Sequence, residues 1–225
     1  MANHRAHCPV LYHRCLACEL SERLAGTLLA QSIQHHQWPA HALVHRQDAA
    51  LTRLHSVCSG LGALQQSSRQ GTDRTIRLVE PGDIMGLEAL AGARAQSNAI
   101  TLLPSRTCSI PVALLLAQAQ QTPWLAHHLH QLWLPALMRA DFIIAELSTG
   151  SARARVARLL LHLAELCGPN AVPDLSRSDM AALMALTTET VSRTMASLQR
   201  EAAVHSARGL LRCDVEQLKT ASLSD

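Results

Sequence analysis

The segment from Leu175 to Gln199 places the tightest constraint on how this chain can fold. It reads LSRSDMAALMALTTETVSRTMASLQ and contains two amphipathic runs separated by a break at Ala185 and Leu186. Ser176 is suited to cap the first run and Thr187 the second, because a hydroxyl oxygen accepts from the backbone N–H groups that a helix start leaves unpaired. The pattern therefore predicts two short helices joined by a tight turn.

The second predicted helix carries a polar face near its N-terminus. Its apolar residues are spaced to form a buried stripe, which leaves four polar side chains on the other face: Thr188, Glu189, Ser192 and Arg193. A recognition helix that enters a DNA major groove by its N-terminal end needs polar groups at this position. Arg193 can donate two hydrogen bonds to guanine, and Glu189 can accept from cytosine or adenine. We therefore predict that these four residues contact DNA.

The run TTETVSRTMASLQ, with Glu189, Ser192 and Arg193 in the order E-x-x-S-R, resembles the recognition helix of the Crp/Fnr transcription regulators, and of the Fnr branch in particular. The resemblance implies that these three residues read a TTGAT-type half-site. It also implies an α+β chain with an N-terminal cyclic-nucleotide-binding-like β-roll, a long dimerisation helix and a C-terminal winged helix-turn-helix. The chain departs from the family at Ala185 and at Ala202-Ala203, where glycine is usual.

Composition and turn signals divide the chain into four segments. A chain of 225 residues with 48% hydrophobic but 2% aromatic residues has room for two modest cores, built mainly from aliphatic side chains. Pro81-Gly82-Asp83 predicts a turn, and the surrounding EPGDIMGLEALAG resembles the effector-domain turn of the family. We expect a Cys/His-rich sensory arm (1–21), a β-roll effector domain (22–121), a dimerisation helix (122–150) and a winged helix-turn-helix (151–225).

The predicted dimerisation helix has an apolar stripe whose members alternate by four and three residues, which is typical of a two-helix seam. The stripe consists of Trp133, Leu137, Ala140, Ile144 and Leu147. Pro135 should kink this helix or split it in two. The two-fold symmetry of paired DNA half-sites favours a homodimer, whereas the alternative is that the stripe packs on the chain's own β domain.

The resemblance implies a non-enzymatic regulator, and charge and hydropathy are compatible with that class. The net charge of +3 does not by itself indicate nucleic-acid binding, but six arginines flank the motif and are candidate phosphate contacts: Arg153, Arg155, Arg158, Arg200, Arg208 and Arg212. No apolar run reaches the roughly 18 residues that span a bilayer, and the N-terminus lacks a signal-peptide core. We expect a cytoplasmic protein with no membrane contact, whose partners are a palindromic double-stranded DNA site, a second copy of the chain and RNA polymerase.

Seven cysteines are an odd number for disulfides in a cytoplasmic protein and indicate metal, cluster or thiol chemistry at some of them. Cys8, Cys15 and Cys18 are spaced C-x6-C-x2-C, and CSIP at Cys108 resembles the segment that carries the internal cluster cysteine of Fnr-type proteins. The resemblance implies a [4Fe-4S] cluster on these four thiolates that reports oxygen or redox state. The arm departs from the usual C-x2-C-x5-C spacing. The other three cysteines, Cys58, Cys167 and Cys213, are expected to be small core residues.

Several sensory alternatives remain open. Cyclic-nucleotide-binding relatives carry an Arg-Ser pair where this chain has Asn98-Ala99, so no phosphate clamp and no cyclic nucleotide are expected. Zinc, with His7 or His13 as additional ligands, or a thiol–disulfide switch would use the same arm. A haem-based nitric oxide sensor and a constitutive repressor with a degenerate sensor domain are further regulators. A thiol oxidoreductase using Cys15 and Cys18 is the non-regulatory alternative, although no strand precedes that pair.

Overall fold

A computed structural model describes residues 15–67 and 73–223. The chain divides into two compact units, an N-terminal unit (Met1–Ala140) and a C-terminal unit (Asp141–Asp225). Among the described residues, no helix is both long enough and apolar enough to cross a membrane.

In the described part of the chain, the N-terminal unit is a β-roll of two four-stranded antiparallel sheets, preceded by two helices. The helices are α1 (Leu16–Arg23) and α2 (Leu28–Gln31). One sheet has the order β1-β8-β3-β6, formed by β1 (Gln34–Trp38), β8 (Ser105–Pro111), β3 (Arg53–Ser59) and β6 (Ile84–Met85). The other has the order β2-β7-β4-β5, formed by β2 (Leu43–His45), β7 (Asn98–Thr101), β4 (Gly62–Ser67) and β5 (Asp73–Val79). A 3₁₀ turn covers Leu87–Ala91.

Tight turns fix the ends of these strands. Asp83 N donates to Glu80 O at 3.0 Å and Gly82 has φ +97°, which confirms the turn predicted at Pro81-Gly82-Asp83. Gly60, directly after β3, has φ +92°, and a Cβ there would lie 2.6 Å from the carbonyl oxygen of Pro104. Only glycine fits the backbone at this turn without displacing the neighbouring loop.

Helix α1 differs from the flexible arm expected up to residue 21. Leu16, Ala17 and Leu20 lie on one side of it and are almost completely buried in the apolar core of the β-roll. Burying a leucine side chain contributes about 2 kcal/mol, so the two leucines hold even a two-turn helix in place. Leu16 N also donates to Ser56 Oγ on β3 at 3.1 Å. The predicted arm is therefore an integral helix from Cys15 onward, while Cys8 lies outside the described residues.

The predicted dimerisation helix is broken into shorter pieces. After α3 (Val112–Gln121) come α4 (Pro123–Gln131), α5 (Trp133–Phe142) and a π-helical turn (Ile143–Leu147). The break falls at Leu132, three residues before Pro135, because a proline ring clashes with the carbonyl four residues earlier and provides no N–H. This confirms the expected split.

Helix α5 is attached to the β-roll through Arg139. Its guanidinium forms an ion pair with the buried carboxylate of Glu80 and lies 3.4 Å from Asp83 Oδ2. Asp83 also accepts from the backbone N–H of Glu80 at 2.9 Å. Burial raises the pKa of Asp83 above its ordinary value, although its hydrogen bond to Glu80 N and the nearby Arg139 act in the opposite direction. The β5–β6 turn therefore positions the C-terminal half of α5 through Arg139.

The C-terminal unit is a winged helix-turn-helix, as expected. Its elements are α6 (Ala152–Cys167), β9 (Val172–Pro173), α7 (Arg177–Met184), α8 (Thr188–Arg200), β10 (Val204–Ala207), β11 (Leu210–Cys213) and α9 (Val215–Ser222). The three strands form a small antiparallel sheet in the order β10-β11-β9. Ser176 caps α7 by accepting from Asp179 N at 3.0 Å, and its hydroxyl donates to the Asp179 carboxylate at 2.6 Å.

Two alanines adopt the left-handed conformation at the turns that bound α8. Ala185 has φ 52° and ψ 42°, and Ala202 has φ 61°. A side chain with a Cβ is strained there by about 1–2 kcal/mol. The turn expected from the sequence therefore forms without the glycine that would relieve this strain.

Replacing Ala185 by glycine should raise the free energy of unfolding of the C-terminal unit by about 1 kcal/mol, because the strain disappears. Urea denaturation of the full chain, followed by circular dichroism, measures this change. Ala182→Gly is the matched control, since residue 182 lies inside α7. It should lower the stability by about 1 kcal/mol. Equal losses from both substitutions would show that Ala185 is not strained.

Candidate functional site

Helix α8 is held so that its polar N-terminal face remains accessible. Thr187 Oγ1 accepts from Thr190 N at 3.1 Å and fixes the start of the helix. On the inner face, Val191, Met195 and Leu198 are at most 1% exposed. This apolar stripe fixes the rotation of α8 about its axis, and the opposite face is presented to solvent.

All four predicted DNA contacts lie on that exposed face: Thr188, Glu189, Ser192 and Arg193. Ser192 Oγ donates to Thr188 O at 2.8 Å, so the serine is held close to the helix. Within residues 15–67 and 73–223, no protein group forms a hydrogen bond or an ion pair with the side chains of Glu189 or Arg193. Their hydrogen-bonding groups are therefore available to base edges.

Most of the flanking arginines bind protein groups, which differs from the expected phosphate contacts. Arg153 pairs with Glu201, and this hydrogen bond lowers the pKa of that exposed carboxyl to about 2. Arg155 donates to Met184 O at 3.1 Å. Arg158 donates to Ser222 O at 3.2 Å, so these three side chains brace the helices of the unit.

Arg208 is the better phosphate candidate. With φ values of 53° and 79°, Arg208 and Gly209 form the tight turn between β10 and β11, and conformations of this kind match the twist of a two-stranded hairpin. The arginine is exposed at this tip, which is the wing of the domain. A cation on a wing is placed to contact a DNA backbone beside the recognition helix.

Four thiols converge in the N-terminal unit. Cys15 is the N-cap of α1, Cys18 lies in its first turn, Cys58 lies on β3 and Cys108 lies on β8. Cys15 Sγ is 3.2 Å from Cys18 Sγ and 3.6 Å from Cys58 Sγ, and Cys58 Sγ is 3.2 Å from Cys108 Sγ. Three of them, Cys15, Cys58 and Cys108, are buried with their sulfur atoms all within 4.8 Å of one another. We call these four residues the thiol cluster.

The sheet and helix α1 explain this convergence. Ser56 pairs with Cys108 across the β3–β8 ladder, and the same serine accepts from the backbone of Leu16 at the start of α1. A β-bulge between Val57 and Ser59 leaves Cys58 without a residue directly opposite. The thiols therefore meet at the N-terminal end of α1, where the helix dipole favours negative charge such as that of thiolates.

The structure brings together three of the four predicted cluster ligands and adds one that was not predicted. Cys15, Cys18 and Cys108 lie in the thiol cluster, whereas Cys8 falls outside the described residues. Cys58 is buried, as expected of a core residue, but its sulfur contacts two other thiols. Residues at alternate positions of β3 share a face, so Cys58 is expected on the same face as Leu54 and Ser56. The sequence does not show, however, that β3 pairs with β8.

The remaining two cysteines have separate environments. Cys213 is buried as expected, and burial raises its pKa to about 11. Cys167 is exposed, so its interpretation as a core residue is wrong. Neither belongs to the thiol cluster.

The donor set of the thiol cluster fits a soft metal centre. Zinc and iron–sulfur clusters are the usual centres for sets of cysteine thiolates. Around one tetrahedral zinc ion with Zn–S bonds of about 2.3 Å, thiolate sulfurs would lie roughly 3.8 Å apart. The contacts of 3.2 to 3.6 Å among Cys15, Cys58 and Cys108 are close to this spacing, whereas the contact described for Cys18 is to Cys15. A cubane binds each thiolate to a different iron atom and needs the sulfurs to move apart.

A small cavity of about 160 Å³ lies beside two of these thiols. Cys58 and Cys108 line it, together with strand residues that include His35 and Thr107. His35 is exposed, and its Nδ1 lies 3.2 Å from Cys108 Sγ. The otherwise buried cluster therefore has a route to solvent past an imidazole.

Helix α1 also contacts α4, which directly precedes α5. Glu19 Oε2 lies 3.5 Å from His128 Nε2, and Glu19 Oε1 lies 3.1 Å from Arg23 Nε. The Arg23 guanidinium carbon lies 4.8 Å from the centre of the Trp124 ring, within range of a cation–π contact. The helix that presents Cys15 and Cys18 is thus attached by its other end to the helical segment of the N-terminal unit.

The predicted dimer seam is mostly exposed. Trp133, Leu137 and Ile144 are 42%, 58% and 65% exposed, and Ala140 is half-buried. Leu147 is different, because it is completely buried within the C-terminal unit and is removed from the seam. Leu134 and Met138 add further exposed apolar surface on α5.

A second, mainly apolar cavity of about 390 Å³ lies between the 3₁₀ turn and helices α3 and α4. His130 lines it, and His130 Nδ1 lies 2.7 Å from Ala126 O. This contact requires Nδ1 to be protonated, which leaves Nε2 as the acceptor nitrogen when the ring is neutral. No histidine was assigned to such a cavity from the sequence.

Comparisons with known proteins agree with this architecture. The family model described as "Crp-like helix-turn-helix domain" matches residues 154–221, and that described as "Cyclic nucleotide-binding domain" matches residues 35–122. The Cyclic AMP receptor protein of Thermus thermophilus is 30% identical over 157 residues, covering 69% of this chain and 72% of that protein. The transcriptional activator FnrL of Cereibacter sphaeroides is 27% identical over 216 residues, covering 87% and 86%.

A crystal structure of a CRP-family transcriptional regulator from Thermus thermophilus has the same fold. It superposes with a TM-score of 0.72 at 24% identity and covers 84% of this chain and 97% of that one.

Substituting Arg193 by alanine should cost about 1–3 kcal/mol in binding to a TTGAT-type palindrome and relax the preference at one guanine. Fluorescence anisotropy with the palindrome, with single-base variants and with random DNA measures both effects. Arg208→Ala is the matched control, because a phosphate contact should weaken binding to all sequences alike. Equal weakening of specific and random DNA by Arg193→Ala would contradict the base-reading role.

Proposed function

We propose that this chain, which belongs to the Crp/Fnr family of transcription regulators, binds promoter DNA as a homodimer in response to oxygen or redox state. Family membership makes it a DNA-binding transcription regulator, and its relatives are regulators rather than enzymes. The observation that carries the sensory part of the proposal is the convergence of three buried thiols, Cys15, Cys58 and Cys108, with Cys18 in contact with Cys15. A thiol oxidoreductase would need one reactive pair, whereas three or more soft donors around one point are the arrangement of a metal centre.

We further propose that the centre is an iron–sulfur cluster. Support comes from the C-x-x-C pair at Cys15 and Cys18, from the CSIP segment at Cys108 and from the similarity to FnrL. A bound [4Fe-4S] cluster would supply oxygen-sensitive redox chemistry. The residues of this chain would hold it, favour the anionic thiolates through the α1 dipole and exclude bulk water through the buried walls of the β-roll.

The proposed output is base-specific binding by two copies of α8. Glu189, Ser192 and Arg193 read the half-site, and Thr188 lies beside them on the same face. Two-fold pairing of the exposed side chains of Trp133, Leu137 and Ile144, with the small Ala140 between them, would bring two recognition helices to a palindrome. The bound dimer would then present itself to RNA polymerase.

Helix α1 is the proposed link between sensor and output. Its N-terminal end carries two of the thiols, and its side chains contact Trp124 and His128 on α4. Since α5 follows α4 after a single residue, a shift of α1 would be passed to the apolar surface that dimerises. The state of the thiol cluster would thereby bias the monomer–dimer equilibrium.

Cyclic nucleotides are not part of the proposed mechanism. Asn98 stands where nucleotide-binding relatives carry the arginine of the phosphate clamp, and its side-chain oxygen accepts from Gln47 N at 2.9 Å. Without a guanidinium at that position, the cyclic phosphate would lack its bidentate partner. Adding cyclic AMP should leave DNA affinity unchanged.

Two alternative effectors are each favoured by one observation. The sulfur spacing of 3.2 to 3.6 Å favours zinc on the same thiols. The apolar cavity lined by His130 favours haem, with that imidazole as the axial ligand. A Soret band on haem titration, lost in His130→Ala, would support the haem alternative.

Anaerobic purification should give a brown protein that contains iron and sulfide and is bleached by air. Its affinity for palindromic DNA should exceed that of the bleached form by about 5-fold to 150-fold, the usual range of coupling between two sites. Cys108→Ser should lose both the colour and the air response. Cys167→Ser, at an exposed thiol outside the cluster, should behave like the unmodified protein.

Metal analysis of the same samples separates the alternatives. A colourless, iron-free protein that contains zinc would replace the iron–sulfur proposal by zinc. A metal-free protein whose DNA affinity ignores air would eliminate the sensory proposal and favour a constitutive repressor.

Trp124→Ala should weaken the coupling between the thiol cluster and DNA binding without removing the metal from the cluster. Loss of the cation–π contact between Arg23 and the half-buried Trp124, worth about 0.5–1 kcal/mol, should shrink the affinity ratio between metal-loaded and metal-free protein by about twofold to fivefold. Metal content, measured in parallel, should stay the same. Arg94→Ala serves as the control, because this exposed arginine donates to Asp48 O on the β-roll surface and not to α4. An unchanged ratio in Trp124→Ala would contradict transmission through α1.

A further inference from the structure

We infer that Cys58 is a thiolate ligand of the metal centre, together with Cys15, Cys18 and Cys108. The inference rests on the proposed function only in assuming that a thiophilic metal binds here. It concerns the ligand set, and it holds for either iron–sulfur or zinc, because both bind cysteine thiolates.

The distances single out Cys58. Its Sγ lies 3.6 Å from Cys15 Sγ and 3.2 Å from Cys108 Sγ, so it bridges the thiol on the helix and the thiol on β8. Cys15 in turn lies 3.2 Å from Cys18. Among the described residues, Cys58 provides the sulfur that contacts both Cys15 on the helix and Cys108 on β8.

Burial gives Cys58 the environment of a ligand. Cys15, Cys58 and Cys108 are at most 2% exposed. Sulfur atoms in contact at such a site cannot all ionise without a cation, because buried like charges repel strongly. A bound metal ion or cluster would balance their charge.

The backbone at Cys58 is shaped for this role. The bulge between Val57 and Ser59 interrupts the ladder at this residue, and the Gly60 turn follows directly. Bulges re-aim a side chain relative to a regular strand. The turn is tightly constrained, since a Cβ on Gly60 would lie 2.6 Å from Pro104 O. The bulge and the constrained turn therefore fix the position of the Cys58 thiol.

His35 is the competing fourth ligand. Its Nδ1 is 3.2 Å from Cys108 Sγ, but the side chain is exposed at the edge of the sheet. Cys58 is buried and its sulfur contacts two cluster thiols, whereas the imidazole of His35 lies beside Cys108 at the mouth of the cavity. We therefore assign Cys58, rather than His35, as a ligand of the metal. His35 lies at the mouth of the cavity.

Protection of thiols in the unmodified full-length protein tests the inference without any variant. The protein is loaded anaerobically, once with iron and sulfide and once with Zn²⁺. It is then treated with iodoacetamide, and alkylation is mapped by mass spectrometry before and after chelation. Cys15, Cys18, Cys58 and Cys108 should each be protected at least tenfold by either metal, while Cys167 should react at the same rate in both states.

Substitutions provide the second measurement. Cys58→Ser is compared with His35→Ala and with Cys213→Ser, a buried thiol of the other unit. Cobalt(II) is the probe, because the sulfur-to-cobalt charge-transfer absorbance grows with the number of bound thiolates. Cys58→Ser should lower the absorbance per bound cobalt by about one quarter, from four thiolates to three. His35→Ala and Cys213→Ser should keep it.

The outcomes distinguish this inference from the proposed function. Metal protection of Cys8 but not of Cys58, or full cobalt absorbance in Cys58→Ser, would overturn the inference. A quarter loss of absorbance in His35→Ala alone would also overturn it. Protection of Cys58 in a protein whose DNA affinity ignores the metal would support the inference and refute the redox-regulated function. Failure of the unmodified protein to bind any of the three metals would refute both.

Discussion

The docking of helix α1 into the apolar core of the β-roll is the contact on which the sensory half of this molecule depends. Leu16, Ala17 and Leu20 are inserted among side chains of β3, β8, α3 and α4. This packing, together with the hydrogen bond from Leu16 N to Ser56, fixes the N-terminal end of α1 over the β3–β8 ladder. The same helix therefore brings two thiols to the sheet and contacts the helices that follow it.

The sequence was most informative where the determining interactions are local. Ser176, Thr187 and the stripe Val191, Met195 and Leu198 act within one or two helical turns, so the helix-turn-helix and its exposed polar face followed from spacing and capping. The split near Pro135 also has a local cause. The β-roll was predicted from a family resemblance, because the early strands, such as QHHQW, carry little β pattern of their own.

Features that depend on distant pairing were missed. Cys58 lies 50 residues before Cys108, and their contact requires the antiparallel pairing of β3 with β8. Leu147 fitted the spacing of the seam but is buried within the C-terminal unit, since heptad spacing alone does not say which partner covers a side chain. The hydrogen-bond partners of the arginines of α6 were missed for the same reason. Their guanidinium groups donate to carbonyl groups of elements far along the chain. Residues 1–21 were expected to form a flexible arm, because the sequence of this segment does not indicate which core Leu20 packs into.

The small cavity beside Cys58 and Cys108 limits the size of the molecules that can approach these two thiols through it. A volume of about 160 Å³ holds on the order of five water molecules, at roughly 30 Å³ each in the liquid. Dioxygen, hydrogen peroxide and nitric oxide fit such a space, whereas a peptide disulfide such as oxidised glutathione does not. The strands that form its walls are hydrogen-bonded along their length, so widening the cavity would require breaking the β1–β8 ladder. In the proposed sensor, this cavity would give small oxidants an approach to Cys58 and Cys108 that is too narrow for a larger disulfide.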